Sequence, residues 1–241
     1  MPPIQLVIFD MAGTTVADEH EVEACFIEAA AQTGLRVSPE RILAMQGMAK
    51  RYVFDLLWRE QLDHPTADPS RYVEKSYTRF TEVLEAHYQT QPVRPTEGCL
   101  EAFAYLRERR IPVALTTGFY RKVTDIILGR LGWLDGLDDA HMGTTDTVIQ
   151  ASLASDEVPN GRPHPDLIRE AMRRFGVADP KAVVNLGDTP ADLQSGLAAH
   201  VGHNLGLTNG THTRAQLTPF PHHQLLGSLL ELPDYLTSIR A

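Results

Sequence analysis

The chain has 241 residues, 43% of them hydrophobic and 22% charged, with a formal net charge of −9. That composition belongs to a soluble globular protein, long enough for one large domain or two modest ones. The charge opposes nucleic acid and anionic membrane as partners, and no apolar run approaches the ~20 residues of a membrane span.

The opening Met1-Pro2-Pro3-Ile4-Gln5 carries no basic region, and the apolar stretch behind it is only a strand long. No leader peptide is expected, and the expected location is the cytoplasm. Cys25 and Cys99 lie far apart and show no metal-ligand spacing, which predicts free thiols in a reducing compartment.

The first strand is Leu6-Val7-Ile8-Phe9, an apolar run that ends on Asp10 and breaks at once into Met11-Ala12-Gly13-Thr14-Thr15. This places one carboxylate at the carboxyl end of a buried strand, where open α/β sheets bind their ligands. Such a carboxylate serves as nucleophile or metal ligand; a plain turn aspartate is the competing reading. Ala12, two places on, is small and chemically silent.

Between about residues 16 and 90 strand-like runs are absent and the pattern is helical. Residues 20–33 have helical spacing and stop at Gly34, a C-cap signal. Ser38-Pro39-Glu40 opens the next helix, with Ser38 as N-cap and Pro39 at the first position. Residues 50–62 and 69–88 are two further amphipathic stretches, and Pro92 and Pro95 mark a linker. Tyr52 and Trp58 are read as sharing one packed helix face.

From Thr96 the pattern alternates. Helical stretches over 98–110 and 121–131 flank the strand Pro112-Val113-Ala114-Leu115-Thr116. Ala182-Val183-Val184-Asn185-Leu186-Gly187-Asp188 is a third strand ending on an aspartate, and residues 203–208 form a fourth. The stretch 141–158 holds one strand-like run, 147–153, beside a Thr-rich loop, and its role stays open. Residues 135–139 read as an acidic surface loop and His222-His223 as solvated. The alternation implies right-handed crossovers and a parallel sheet. The expected fold class is therefore α/β, a Rossmann-like parallel-sheet core (1–16 and 91–241) with a helical insert (17–90) after the first strand.

Three more groups carry chemistry. Thr116-Thr117-Gly118 closes the second strand, where a hydroxyl and free amides can bind phosphoryl oxygens. Arg162, framed by Gly161 and Pro163, offers a bidentate fork to phosphate. In Gly187-Asp188-Thr189-Pro190-Ala191-Asp192, Asp192 lies one turn into the next helix, above the spot that Asp188 faces. The competing role for Asp188 is that of a helix N-cap.

In this order the motifs resemble the haloacid dehalogenase superfamily of phosphoryl-transfer enzymes, over essentially the whole chain. Most phosphatases of that superfamily read Asp-x-Asp-Gly-Thr, and their second Asp protonates the leaving group. Asp10-Met11-Ala12-Gly13-Thr14 resembles its phosphonatase branch instead. The resemblance implies that Asp10 is the nucleophile, that Asp10, the Ala12 carbonyl and Asp188 bind Mg²⁺, and that Asp192 is an outer ligand or orients one. It favours Thr117 over Thr116 as the phosphate binder, together with Gly118, and makes Arg162 the fixed cation beside the nucleophile. The helical insert becomes a cap.

Gln46-Gly47-Met48-Ala49-Lys50 is similar to the Gly-x-x-Lys of the phosphonatase branch, whose lysine forms a Schiff base with a substrate aldehyde. Gly47 and Lys50 thereby join the site. Expelling carbon from phosphorus needs an electron sink, which an iminium on Lys50 supplies, so no acid is needed at position 12. The lysine must be partly neutral, through desolvation or a cationic neighbour such as Arg51. The chain departs from that branch at His20, Gln46, Val53 and Phe119, where the branch carries Cys, Met, His and Tyr; Tyr120 stands next door. Its proton-shuttling groups are missing or moved.

The resemblance thus implies a Mg²⁺-dependent hydrolase that cleaves a small carbonyl-bearing organophosphonate through an aspartyl-phosphate. Its expected partner is a small phosphonate or phosphorylated substrate, and a homodimer stays open. Two alternatives stand beside it. One is a phosphate monoesterase resembling phosphoglycolate phosphatase, with Lys50 binding an anion. The other is a non-catalytic binding protein on the same fold, which the intact set Asp10, Thr117, Arg162 and Asp188 argues against.

Overall fold

The run after Gln5 forms β1 (Leu6–Phe9), and all four of its residues are fully buried. In the computed structural model, which describes residues 2–63 and 68–239, five further strands join it: β2 (Val113–Thr116), β3 (Ala151–Leu153), β4 (Val183–Gly187), β5 (His203–Leu207) and β6 (Gln224–Leu226). Met1 and residues 64–67 lie outside the described residues, so the expectations for the opening segment and for the 17–90 insert are described without them. Strand order is β3-β2-β1-β4-β5-β6, and every pairing is parallel. Such a sheet is covered on both faces, which is why its central strands read as unbroken apolar runs. Leu6 and Ile8 enter one layer with Leu167 and Ile168, and Val7 and Phe9 enter the other with Phe103 and Leu106.

Between β1 and β2 stand α1 (Glu21–Thr33), α2 (Pro39–Leu43), α3 (Lys50–Leu62), α4 (Ser70–Thr90) and α5 (Cys99–Glu108). Gly34 ends α1 in the left-handed conformation, at φ 87°, and the Ser38 hydroxyl accepts from Arg41 N at 3.2 Å to cap α2. Helices α1, α3 and α4 share an aromatic core. Phe26 stacks on Phe54 at 4.4 Å, and Phe80 meets both at 5.8 and 5.9 Å. Such contacts add to the burial of three large rings. α6 (Arg121–Leu131) follows β2 and ties α4 to the sheet layer: Tyr120 Oη donates to Glu85 Oε1 at 2.8 Å, and Arg130 donates to the Tyr88 carbonyl at 3.3 Å. α7 (Asp166–Arg174), α8 (Pro190–Ala198), α9 (Arg214–Leu217) and α10 (Leu232–Ser238) complete the chain.

Several local expectations change. Of the run 147–153, only Ala151–Leu153 pairs with β2. Thr147 instead closes a turn, its hydroxyl donating to the Thr144 carbonyl at 2.7 Å. Trp58 is buried but Tyr52 is 55% exposed, because six residues make about 1.7 helical turns and carry the two to different faces. His223 is bound to the backbone through its ring, Nδ1 accepting from Asn204 N at 2.9 Å. β6 has three residues, too short for a periodic signal. Cys25 and Cys99 are free and buried. No described helix is long and apolar enough to cross a membrane.

Candidate active site

β1 and β4 are neighbours, with Phe9 opposite Leu186 and Asp10 N donating to the Leu186 carbonyl at 2.9 Å. The chain runs from β1 outward to β3 on one side and resumes at β4 on the other, so the sheet order reverses between these two strands. Ligands bind beyond the carboxyl ends of strands at such a switch point, and Asp10 and Asp188 stand there side by side.

Asp188 is fully buried. Its Oδ1 accepts from the Thr14 hydroxyl at 3.0 Å and its Oδ2 from Thr211 N at 2.7 Å. Burial, and then Asp192, push its carboxyl up to about 6. Because Thr14 and Thr211 hold that carboxylate, the N-cap of α8 is Thr189 and not Asp188. Asp192 closes the capping box, Oδ2 accepting from Thr189 N at 3.1 Å and from its hydroxyl at 2.5 Å. Its other oxygen, Oδ1, lies 2.9 Å from Arg162 Nη1 but has no hydrogen-bond partner.

Arg162 is buried at 3% exposure. Nη1 pairs with Asp10 Oδ1, and Nη2 donates to the Thr116 carbonyl at 3.0 Å and to its hydroxyl at 2.5 Å. Thr116 is thus occupied by the guanidinium, while Thr117 lines the cavity above, its Oγ1 accepting from Phe119 N at 3.1 Å. Burial opposes the charge on Arg162, but Asp192 and Asp10 outweigh it and keep the guanidinium protonated. Burial also holds the Asp10 carboxyl well above the usual carboxylate range, against the pull of Arg162.

Carboxylate oxygens of Asp10, Asp188 and Asp192 lie within 4.8 Å of one another, all buried. One guanidinium does not balance three carboxylates, and an uncompensated buried charge is costly. The donors are all oxygens, and Asp192 Oδ1 is an acceptor left over. This set fits a hard divalent cation such as Mg²⁺. Ala12 lines the cavity beside Asp10.

Lys50 opens α3 and is only 7% exposed. Its Nζ donates to Gln46 Oε1 at 3.1 Å. Burial pushes the amine down to about 8, with Asp18 and Asp10 opposing. A cation at a helix N-terminus is also disfavoured by the helix dipole. Arg51 has no part in this: it turns outward, pairs with Glu74 at 2.7 Å and lies 5.6 Å over the Tyr77 ring.

Lys50 reaches the core because the segment before it carries almost no side chain where it touches. Gly47 has φ +81°, and a Cβ on it would fall 2.3 Å from Thr189 Oγ1. A Cβ on Gly118 would fall 2.7 Å from the Gly47 carbonyl oxygen. The cavity between these surfaces has a volume of about 30 Å³ and is lined by Asp10, Gln46, Gly47, Lys50, Thr117 and Gly118 among others. Arg162, Asp188 and Asp192 are not among its lining residues.

The fold therefore brings Asp10, Ala12, Gly47, Lys50, Thr117 and Gly118 to one cavity, with Arg162 paired to Asp10 and with Asp188 and Asp192 clustered around it. His20 is excluded; it lies exposed at the start of α1, beside Glu23. Val53 is buried, and Phe119 lines the cavity with no polar atom to offer. Sequence reasoning missed Asp18 and Thr211, which line the cavity, and Thr14, which holds Asp188. Only Thr14 sits in a motif that could have flagged it.

Residues 4–200 match the family model described as haloacid dehalogenase-like hydrolase. A phosphonoacetaldehyde hydrolase from Bacteroides fragilis is 28% identical over 238 residues, covering 96% of this chain and 86% of that protein. Among solved structures, a hydrolase from Pseudomonas syringae superposes with a TM-score of 0.81 at 20% identity, over 98% of this chain and 99% of that one. A phosphonoacetaldehyde hydrolase-like protein from Oleispira antarctica gives 0.73 at 17% identity, over 99% and 93%. At these identities the two structures speak for the fold alone.

Proposed function

The chain belongs to the haloacid dehalogenase-like hydrolases, and from that membership we propose that it hydrolyses a small carbonyl-bearing organophosphonate, such as phosphonoacetaldehyde, through an aspartyl-phosphate on Asp10. The observation that carries this reading is Lys50. It is a buried amine lining the same cavity as Asp10, pushed down to about 8, while position 12 is an alanine with no proton to give. A desolvated lysine of that kind is suited to imine formation. Curated relatives named phosphonoacetaldehyde hydrolase support it.

Each residue then has a task. Lys50 Nζ, as the free amine, attacks the carbonyl carbon, and loss of water leaves an iminium. Asp10 attacks phosphorus, the carbon–phosphorus bond breaks, and its electron pair passes into the iminium to give an enamine. Water hydrolyses the aspartyl-phosphate, the enamine is protonated on carbon to an iminium, and a second water hydrolyses that iminium to release the aldehyde and restore the Lys50 amine. Arg162 holds the Asp10 carboxylate and offsets the charge that gathers on the phosphoryl group. Thr117 and the amides about Gly118 take phosphoryl oxygens. Asp10, the Ala12 carbonyl and Asp188 would hold Mg²⁺, with Asp192 behind them, and the bound ion would neutralise phosphoryl charge.

In this reading residues 17–90 form a cap that carries Lys50, and 1–16 with 91–241 form the core. The cavity is small where the Gln46–Lys50 segment meets Gly118 and Thr189, so movement of that segment would admit a substrate and its return would exclude bulk water.

The test compares phosphate release from phosphonoacetaldehyde and from p-nitrophenyl phosphate, with borohydride trapping of the first. Release from phosphonoacetaldehyde and a reduced adduct on the Lys50 peptide are expected. Release from the ester alone, with no adduct, replaces this reading by the monoesterase; release from neither points to a binding protein.

A further inference from the structure

Imine chemistry in a closed cavity needs a way to move protons, and the chain lacks ionisable groups at Val53 and Phe119 and has turned His20 away from the cavity. A carboxyl at another position lines the same cavity. Asp18, eight residues after Asp10, shares the cavity wall with Lys50 and Asp10. Its Oδ1 accepts from Val22 N at 3.3 Å, which holds it at the start of α1. When Asp18 carries a proton it can donate to the neighbouring Glu21 carboxylate. Glu21, in turn, lines a separate groove on the outer surface, with Glu19 and His87. The two neighbouring carboxyls thus stand one in the wall of the cavity and the other in the wall of the outer groove.

We propose that the Asp18–Glu21 pair is the proton path of the active site, Asp18 exchanging the proton with Lys50 and with the departing oxygen while Glu21 connects it to bulk water. The proposal rests on the Schiff-base reading of Lys50. The step balances without any other reagent. Lys50 begins as the ammonium and Asp18 as the carboxylate. Asp18 takes one proton and frees the amine, which adds to the carbonyl carbon. The carbinolamine nitrogen gives up one proton to the oxygen as the adduct forms. Asp18 returns its proton to that oxygen, the carbon–oxygen bond breaks, and water leaves. Three nitrogen-bound hydrogens have become one on the iminium and two in water, and Asp18 is again a carboxylate.

The electrostatics suit the exchange. Burial, and then the hydrogen bond to Glu21, push the Asp18 carboxyl up to about 7, while burial pushes Lys50 down to about 8. Burial thus brings the two affinities together from opposite sides, so moving the proton from Lys50 to Asp18 costs far less than between a free amine and a free carboxyl. Burial opposes the charge on Glu21, but its hydrogen bonds with Asp18 and the backbone hold it below the usual range, so it stays the ionised partner. The other titratable groups near the pair include Glu19 and His87 in the outer groove, Tyr88, Cys25 and the Asp10–Asp188 cluster. Tyr88 and Cys25 keep their protons, since burial raises both.

The experiment measures the rate at which phosphonoacetaldehyde forms a borohydride-reducible adduct on Lys50, followed by peptide mass, in the wild type, Asp18→Asn and Glu21→Gln. Asp18→Asn is expected to slow adduct formation on the order of 100-fold, the usual weight of a lost general acid–base, with the final extent unchanged. Glu21→Gln is expected to slow it about tenfold in dilute buffer and to recover as imidazole is added, while the wild type ignores buffer; a purely structural role for Glu21 gives no such recovery. Adduct formation at the wild-type rate in Asp18→Asn, or a slow Glu21→Gln indifferent to imidazole, overturns the relay and leaves the function untouched. A wild type that never forms the adduct removes the Schiff base, and the relay with it.

Discussion

Lys50 and Gln46 are joined by a 3.1 Å hydrogen bond from Nζ to Oε1, in the wall of the cavity that Asp10 also lines. Gln46 is one of the positions where the chain departs from the phosphonatase pattern, and the structure makes it the hydrogen-bond acceptor of the very group that carries the proposed chemistry. An amide oxygen that accepts from the ammonium favours the charged form. It therefore works against the burial that pushes Lys50 down to about 8.

Gln46→Met removes that acceptor and keeps the bulk. The charged form of Lys50 loses a partner, so its midpoint moves to lower pH than in the wild type. Competitive acetylation of Lys50 against the exposed lysines, read by peptide mass over a pH series, gives both midpoints. The wild type is expected to turn reactive as pH rises through about 8, and the variant earlier. A midpoint that stays put or rises means that Gln46 does not hold the ammonium.

Asp10→Asn keeps the shape at the end of β1 and removes the nucleophile. Turnover is expected to fall on the order of 10⁴-fold or more, as for other removed nucleophiles, with the far-ultraviolet circular dichroism unchanged. A loss of less than tenfold with phosphonoacetaldehyde excludes Asp10 from covalent catalysis.

Chelation tests the carboxylate cluster. EDTA is expected to abolish turnover and Mg²⁺ to restore it. Mg²⁺ is also expected to raise the melting temperature, since a ligand at 100 times its Kd adds about 2.7 kcal/mol of stability. Asp188→Asn removes one carboxylate from the buried cluster and is expected to cancel that rise. Full turnover after thorough chelation, or a Mg²⁺ shift that persists in Asp188→Asn, rules out this set as the metal site.

Gly118 tests whether the contact between the Gln46–Lys50 segment and the core positions the lysine. A Cβ there meets the Gly47 oxygen at 2.7 Å and the Met48 oxygen at 3.0 Å, and both are backbone atoms that cannot swing aside. Gly118→Ala is expected to displace the segment and lower kcat/KM by about 10- to 100-fold, the scale of a misplacement near 1 Å. Gly129→Ala in α6 is the control, because its Cβ finds only Leu134 at 3.6 Å, an ordinary contact. Equal kinetics in the two variants would show that the contact does not set the position of Lys50.

The parts legible in the sequence are those with short-range causes. β1 and β4 announce themselves as apolar runs that close on Asp10 and Asp188, and α3 and α6 keep the limits that helical spacing sets for them. Gly34 and Ser38 act as the caps their residue types suggest. What stays hidden has long-range causes. A lysine at the first position of an amphipathic helix reads equally well as solvated, and it is the approach of Gly47 to Thr189 that closes the cavity around it. Asp18 belongs to no motif, and only the packing of α1 onto the site gives it a place in the cavity wall. Thr116 and Thr117 are alike in residue type and only the resemblance favours the second; the structure shows Arg162 occupying the first.

Position 12 and Lys50 together separate carbon–phosphorus cleavage from ester hydrolysis. Arginine keeps the positive charge but cannot act as the imine-forming amine. Lys50→Arg is therefore expected to eliminate turnover of phosphonoacetaldehyde. If Lys50 only holds an anion, arginine retains a good part of the activity on an ester. Ala12→Asp approaches the same question from the other side. A carboxylic acid two residues after the nucleophile can protonate a leaving oxygen, and such groups contribute on the order of 10²–10⁴-fold. The variant is expected to gain activity on p-nitrophenyl phosphate. It should gain none on phosphonoacetaldehyde, where the leaving carbon hands its electrons to the iminium and no oxygen departs from phosphorus. Each substitution thus moves one of the two reactions and leaves the other largely as it was. Steady-state phosphate release from both substrates, measured on both variants beside the wild type, reads this out directly. Wild-type turnover of phosphonoacetaldehyde by Lys50→Arg would falsify the Schiff base and leave the monoesterase as the function of this site.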